Sequence, residues 1–144
     1  MIESYLEAPT VLASNSSPIT FTTDSIRTRS ATCQGWLQHT EDSPLYKIIS
    51  GGRYKVTFNA NVTSTTVGSV ALGLYADGVL VPGTTAIGQV ATAGDYTNVS
   101  FGKVIPICCK GSTTLTVRSV PTVGTTATQI PTVENANLII SRLS

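Results

Sequence analysis

The stretch Gly51–Pro82, GGRYKVTFNANVTSTTVGSVALGLYADGVLVP, decides the fold class of this chain. In its first half, apolar side chains alternate strictly with polar ones, and they are Tyr54, Val56, Phe58, Ala60 and Val62. A period of two residues is typical of a β-strand with one buried and one exposed face. The second half repeats the pattern through Leu72 and Leu74. We therefore predict two long strands, with Tyr54, Val56, Phe58, Leu72 and Leu74 filling the core.

The dipeptide Asp77-Gly78 separates the second strand from Val79-Leu80-Val81 and predicts a tight hairpin. A type I′ turn needs positive φ at both central residues, and Asp-Gly tolerates this conformation. Further along the chain, Gly102 stands between two apolar segments and is a candidate β-bulge.

The composition extends the β prediction to the whole chain. Thr and Ser supply 38 of the 144 residues, 23 and 15 respectively. Residues branched at Cβ, such as Thr and Val, favour strands over helices. Roughly eight to ten short strands separated by turn residues predict an all-β fold, an antiparallel jelly-roll sandwich of two sheets over residues 10–144. Residues 1–9 are predicted to form an N-terminal arm.

The charge of the chain excludes several classes of partner. Only 12% of the residues are charged and the formal net charge is +1, so there is no basic surface for nucleic acid. No segment approaches the roughly 18 apolar residues that a membrane-spanning helix needs. The mean hydropathy is +0.20. A protein surface with so few charges indicates that part of it is covered in an oligomer.

The three cysteines are Cys33, Cys108 and Cys109. If Cys108 and Cys109 lie in a strand, they point to opposite faces and cannot jointly pair with Cys33. Their spacing is not that of a zinc site. We interpret all three as free thiols, in a protein that is made and assembled in a reducing compartment.

Candidate catalytic and metal-binding residues are few. The only histidine, His39, can be combined with Asp24 or Asp42 and one of many serines, but no Gly-x-Ser-x-Gly motif is present. The acids Asp24, Glu41, Asp42 and Asp95 do not have the spacing of a calcium-binding loop. We therefore predict no enzymatic activity, no metal and no cofactor.

Three Asn-x-Ser/Thr sequons begin at Asn15, Asn61 and Asn98. Such sequons accept glycans in secreted proteins. The N-terminus, MIESYLE, lacks the basic start and the apolar run of a secretory signal. We therefore interpret the three sequons as chance matches.

Carbohydrate binding is the alternative function that the sequence leaves open. Lectin domains are among the jelly rolls, and exposed aromatic rings beside polar groups are suited to sugars. Trp36, Tyr46 and Tyr96 are candidate glycan contacts if their rings face solvent. Packing of the same rings in the core or in an interface is the competing interpretation.

Three segments of the chain resemble a known family: Gly52–Phe58, Val70–Gly78 and Ala136–Ile140. Over roughly residues 45–143, the chain resembles the trimeric jelly rolls related to tumour necrosis factor and the complement globular heads. Within that group it is most similar to bacterial and phage members. These include the head of the collagen-like spore-surface glycoprotein and the fibre or decoration proteins of tailed phages.

The resemblance implies a ten-strand jelly roll, three-fold assembly and no catalytic residues. In that family the trimer contact comes from the outer face of one sheet, which makes Ala71, Gly73 and Tyr75 candidate contacts, together with Ile139. No collagen-like stalk precedes the domain, which favours a compact component of a particle.

We therefore expect a homotrimeric phage virion protein, a head fibre or decoration protein made in the host cytoplasm. Its expected partners are other copies of itself and a capsid or other virion protein. The alternative is a lectin-like adhesin of a virion or bacterial surface that binds a glycan.

Overall fold

The computed structural model describes residues 1–27, 35–108 and 111–143. In these ranges the chain forms strands and no helix. The strands are β1 (Ile2–Leu6), β2 (Thr10–Val11), β3 (Thr23–Arg27), β4 (Leu37–His39), β5 (Tyr46–Ile48), β6 (Gly52–Thr63), β7 (Gly68–Ala76), β8 (Val79–Leu80), β9 (Ala86–Val90), β10 (Thr97–Ile107), β11 (Thr113–Ser119), β12 (Thr122–Val123), β13 (Thr126–Ala127) and β14 (Thr132–Arg142).

The strands form two large sheets that pack face to face. Sheet I has the order β10-β6-β14-β1-β3, with β2 paired to β14. Sheet II has the order β4-β5-β11-β7-β8, with β9 paired to β7. All of these pairings are antiparallel. The predicted all-β sandwich of two antiparallel sheets is therefore confirmed.

Strand β6 lies at the centre of sheet I, between β10 and β14. Its apolar face is turned to sheet II, and Tyr54, Val56 and Phe58 are at most 1% exposed. The Phe58 ring contacts two other rings, with centroids 6.5 Å from Phe21 and 5.2 Å from Phe101. Leu72 and Leu74 of β7 are also fully buried. All five predicted core residues are therefore confirmed.

The hairpin at Asp77-Gly78 is confirmed. Strands β7 and β8 pair across it, and φ is 49° at Asp77 and 83° at Gly78, as a type I′ turn requires. The Asp77 carboxylate also accepts a hydrogen bond of 2.9 Å from the backbone N–H of Thr114, which ties the turn to β11.

The bulge predicted at Gly102 is wrong. Strand β10 runs without interruption, and its register with β6 does not shift at Gly102. The register instead shifts between Val133 and Asn135 in β14, and between Glu3 and Ser4 in β1. Gly102 is an ordinary residue of an end strand and pairs in register with Thr57.

The N-terminal segment that the sequence analysis set apart as an arm contains β1, which lies inside sheet I between β14 and β3. Ile2 and Leu6 point into the core and are 5% and 2% exposed. The alternation was missed because its middle inward position is a serine, Ser4, which is also fully buried. Ser4 is satisfied there by donating a hydrogen bond to the Asp24 carboxylate.

The two sheets meet along both sides of the sandwich. On one side, the end strands β9 and β10 approach so closely that a Cβ at Gly88 would lie 2.6 Å from Thr97 Cγ2. On the other side, β3 of sheet I and β4 of sheet II are joined by Asp24 and His39, whose side chains are both fully buried. Within the described ranges, no helix is long and apolar enough to cross a membrane.

We expect Gly88→Ala to destabilise the fold, because its methyl group would overlap Thr97 and would lie 3.0 Å from Val99 Cγ1. The expected loss is about 1–3 kcal/mol of unfolding free energy, measured by urea denaturation. Gly102→Ala is the matched control, since nothing lies within 4 Å of its Cβ position. Equal midpoints for the two variants would contradict the close approach of β9 and β10.

Candidate functional site

The outer face of sheet I carries five asparagines on three neighbouring strands. They are Asn98 on β10, Asn59 and Asn61 on β6, and Asn135 and Asn137 on β14. The register places these residues side by side, because Asn61 is opposite both Asn98 and Asn135, and Asn59 is opposite Asn137. Side chains opposite one another on antiparallel strands are direct neighbours. We call this surface the amide face.

The asparagine side chains bind one another across the strands. Asn98 Nδ2 donates to Asn59 Oδ1 at 2.8 Å and to Asn61 Oδ1 at 3.0 Å. Asn61 Nδ2 donates in turn to Asn135 Oδ1 at 2.9 Å. An amide has two N–H donors and an oxygen with two lone pairs, so each side chain keeps hydrogen-bonding capacity for a ligand or a partner. The network fixes the orientation of the amides without exhausting them.

The amide face continues onto β1, where the residues become acidic and aromatic. Asn137 Nδ2 donates to Glu3 Oε1 at 2.9 Å, and Tyr5 lies opposite Asn137 in the register. A shallow groove of about 890 Å³ follows this boundary. Its lining is Glu3, Tyr5, Leu6, Glu7, Asn59, Asn61, Asn135, Ala136 and Asn137. We call it the amide groove; among the described residues its two glutamates form no ion pair.

The polar face of β6 is evident from the sequence, whereas the amide groove is not. The sequence does contain a pattern that points to it: Asn59 and Asn61 are two residues apart, and so are Asn135 and Asn137. This spacing shows that each pair lies on one face of its strand. Bringing the two pairs together requires the register of β6 with β14, which the spacing does not contain.

The four predicted trimer-contact residues do not share one surface. Ala71 is 1% exposed, and a Cβ at Gly73 would lie 2.7 Å from Leu80 Cδ1 and 3.1 Å from Val120 Cγ2. These two residues of sheet II are thus already covered by their own chain. Tyr75 is half-buried and lies 5.4 Å below the Arg118 guanidinium.

Ile139 has a different position from the other three. It is half-buried on the outer face of sheet I, opposite Glu3 on β1 and Thr57 on β6. Of the predicted contact residues, Ile139 is therefore the one that belongs to the amide face.

The three candidate glycan contacts are also apart. Tyr46 is fully buried and its ring stacks on His39 at 4.0 Å, so it cannot contact a glycan. Trp36 is half-buried against Tyr54, with ring centroids 5.2 Å apart. Tyr96 is 63% exposed and precedes Thr97, which pairs with Val62 at the opposite end of β6. Tyr54 and Val62 are eight residues apart on that strand, which separates them by about 26 Å.

His39 is engaged at both ring nitrogens. Nδ1 lies 2.7 and 2.9 Å from the two carboxylate oxygens of Asp24, and Nε2 lies 2.8 Å from the carbonyl oxygen of Ser43. A carbonyl only accepts hydrogen bonds, so Nε2 donates to it and is not available to remove a proton from a serine. Asp24 and His39 therefore form a pair, but the serine hydroxyl that contacts this pair, that of Ser4, donates to Asp24 and not to the imidazole.

The other candidate sites do not assemble among the described residues. Among the described residues, no three metal-ligating side chains come together. The candidate acids Asp24, Glu41, Asp42 and Asp95 therefore do not form a metal site there. Cys108 is a free, exposed thiol. The interpretations of Cys33 and Cys109 lie outside the described residues.

The asparagines of all three sequons donate hydrogen bonds within the chain. Asn61 and Asn98 belong to the amide face. Asn15 Nδ2 donates to the backbone oxygen of Thr128 at 2.7 Å. A glycan on any of these nitrogens would have to displace these contacts, in keeping with the interpretation of the sequons as chance matches.

We expect His39→Leu to cost about 3–5 kcal/mol of unfolding free energy, because it removes the imidazole, one of the partners of the buried Asp24 carboxylate. The double variant Asp24→Leu/His39→Leu should lose less unfolding free energy, since no carboxylate is then left in the core without its histidine. Urea denaturation monitored by circular dichroism measures both. A single variant as stable as the parent chain would show that the pair contributes nothing to joining the sheets.

The fold is similar to solved structures, although the sequence matches neither a family model nor a curated protein. The globular domain of a zebrafish complement 1qA protein superimposes with a TM-score of 0.61 at 13% identity, over 96% of this chain and 94% of the other. Murine APRIL at pH 5.0 superimposes with a TM-score of 0.58 at 11% identity, over 99% and 98% of the two chains. The chain therefore has the jelly-roll fold of the tumour necrosis factor and C1q domains.

Proposed function

We propose that this chain is a non-enzymatic structural module of a phage particle, a head fibre or decoration protein, and that it works as a homotrimer. The amide face is the surface through which the copies contact one another. This face is the single observation that carries the proposal, because it is a wide, ordered and centrally uncharged surface on a small domain.

The composition of the face favours a protein partner. Its centre consists of Thr57, Asn59, Asn137 and the half-buried Ile139, all uncharged. The cores of protein interfaces are likewise depleted of charged residues. Charged residues flank this centre on two sides, with Glu3 opposite Ile139 on β1 and Arg53 and Lys55 on the outward phase of β6.

The internal hydrogen bonds of the face lower the cost of covering it. Side chains that are already held in one orientation lose less conformational entropy on binding than free ones do. Each amide also satisfies part of its hydrogen-bonding capacity inside the chain, which reduces the penalty for removing it from water. The face is thus suited to burial against a second protein surface.

The assignment to a particle has other supports. The resemblance of the sequence to phage fibre and decoration proteins agrees with the fold, although the fold itself is shared by animal proteins. The exposed free thiol of Cys108 fits assembly in a reducing compartment, such as the cytoplasm of a host cell. A capsid or other virion protein is then the second partner.

The trimer predicts a particle of about 45 kDa in solution, three times the 15.0 kDa of the chain. Ile139→Arg should convert it to a monomer, because a charge would be buried at the contact. Light scattering coupled to gel filtration measures the mass. Val79→Arg, at a site 70% exposed on sheet II, is the control and should stay trimeric.

A monomeric parent chain at micromolar concentration would contradict the trimer. A trimer that Ile139→Arg leaves intact would place the contact on another surface.

The assignment to a particle has a separate test. Antibody raised against the chain and coupled to gold should label intact phage particles from the producing host in electron micrographs. Genes for capsid and tail proteins should also flank the gene for this chain. Unlabelled particles, with no such genes nearby, would contradict the assignment and leave the trimer unaffected.

The amide groove also favours a second candidate function, binding of a surface glycan by a lectin-like adhesin. Its amides, carboxylates and the Tyr5 ring are the groups that proteins use for polyhydroxylated ligands. This site replaces the scattered aromatic residues of the sequence prediction. The location would then be a virion or a bacterial surface.

On a glycan array, binding through the groove should be lost in Tyr5→Ala and kept in Tyr96→Ala, whose ring lies outside the groove. Tyr5 is half-buried in a strand, so circular dichroism must first show that Tyr5→Ala is folded. No signal above background for the parent chain would remove this candidate.

A further inference from the structure

We infer that Arg118, on the outer face of sheet II, binds the carboxylate or sulfate group of an acidic sugar. This surface lies on the opposite side of the sandwich from the amide face and from the amide groove. It therefore stays open when copies of the chain contact one another through the amide face. The inference goes beyond the proposed function and does not depend on the trimer.

The alternation of β11 places Arg118 on this surface. Val117 points into the core and is fully buried, so Arg118, the next residue, points outward. On one side Arg118 lies opposite Gly73 of β7, and on the other side it forms a bridge with Pro18. Neither neighbour has a side chain that neutralises a cation.

The guanidinium of Arg118 is held in one orientation by two contacts. Its Nε donates a hydrogen bond of 3.0 Å to Thr116 Oγ1, and its Cζ lies 5.4 Å from the centroid of the Tyr75 ring. The sheet positions both partners, because Thr116 and Tyr75 lie opposite each other in the register of β11 with β7. A side chain that is already oriented loses less conformational entropy on binding than a free one does.

The other donors of this guanidinium have no partner within the described ranges. Arg118 forms no ion pair there, and its Nη atoms donate no hydrogen bond. These Nη–H groups form a fork that fits two oxygens of a carboxylate or a sulfate. Arg118 is also half-buried, and water screens a half-buried charge less than an exposed one. The residue is therefore suited to bind a small anionic group.

The surroundings of the guanidinium favour a sugar over an acidic peptide. The Tyr75 hydroxyl makes no hydrogen bond with any described residue, so it can bond to a sugar hydroxyl. An aromatic ring beside polar groups is also suited to the apolar face of a sugar ring. Extended peptides bind by pairing with the edge of a sheet. At Arg118 both sides of β11 are already occupied, by Gly73 and Pro18.

A second cation on the same outer face lies apart from Arg118. Lys47 of β5 is opposite Thr114, about 13 Å along β11 from Arg118. The backbone N–H of Thr114 donates to the Asp77 carboxylate at 2.9 Å, which places an acid on that part of the face. Lys47 has the same charge as Arg118 without the fork and the tyrosine ring, and it is therefore a matched control.

NMR titration of the isotope-labelled chain with 3′-sialyllactose tests the site, with lactose as the uncharged probe. The acidic sugar should shift the amide signals of Thr116 and Arg118, and lactose should not. Arg118→Gln should lower the affinity about tenfold or more, because hydrogen bonds to a charged group are lost. Arg118→Lys should lower it almost as far, since an ammonium group does not reproduce the fork. Lys47→Gln should leave the affinity nearly unchanged.

The role of Thr116 in orienting the guanidinium has its own variants. Thr116→Val removes the acceptor of the Nε hydrogen bond and should weaken binding, whereas Thr116→Ser keeps the acceptor and should keep the affinity. Thr116 is buried, so circular dichroism must first show that both variants are folded.

Lactose 3′-sulfate distinguishes a sulfate from a carboxylate, and binding of either acidic lactose through Arg118 supports the inference. Equal losses in Arg118→Gln and Lys47→Gln would overturn it, because the charge alone would then explain binding. Binding of a tetraglutamate peptide but of neither acidic lactose would also overturn it, as would binding that Tyr5→Ala abolishes and Arg118→Gln does not. None of these outcomes changes the mass expected for the proposed trimer.

Discussion

Because successive side chains of a strand point to opposite faces, the twelve residues of β6 serve two surfaces at once. Tyr54, Val56 and Phe58 on one face are buried against sheet II. Asn59 and Asn61 on the other belong to the hydrogen-bonded amide face. The core and the candidate site are thus two sides of one strand, and a shift of its register would disrupt both.

Contacts at the two sides of the sandwich position the end strands of the two sheets. At one side Gly88 removes the side chain that would keep β9 away from β10. At the other, the buried pair of Asp24 and His39 links β3 to β4 through a hydrogen bond of 2.7 Å. The first side is joined by close contact at a glycine, and the second side is joined by a buried acid–histidine pair. The two lateral edges of the domain therefore differ.

The sequence predicted those parts of the molecule that depend on local pattern. The alternation of β6, the strand through Leu72 and Leu74, and the turn at Asp77-Gly78 each follow from neighbouring residues, and each is confirmed. Strand β1 was missed because a buried serine interrupts its apolar pattern, and Asp24, which satisfies that serine, is 20 residues away.

The site depends on contacts that sequence patterns do not show. Ala71 and Gly73 were expected at the surface, but Leu80 and Val120 cover that part of sheet II. The amide groove needs three strands in register, from β6, β14 and β1, whose residues are separated by up to 134 positions. Spacing along one strand identifies a polar face, and only the pairing of strands shows which faces meet.

The irregularity between Val133 and Asn135 decides which side chains of the last strand face outward. Val133 and Ala136 both point into the core although they are three residues apart, so Glu134 is the extra residue that changes the phase of the alternation. Before it, Thr132 and Val133 pair with β2 on one side and with β6 on the other. After it, the strand turns Asn135, Asn137 and Ile139 outward together. A single inserted residue thus decides that the C-terminal strand contributes to the amide face, and that Leu138 and Ile140 remain in the core.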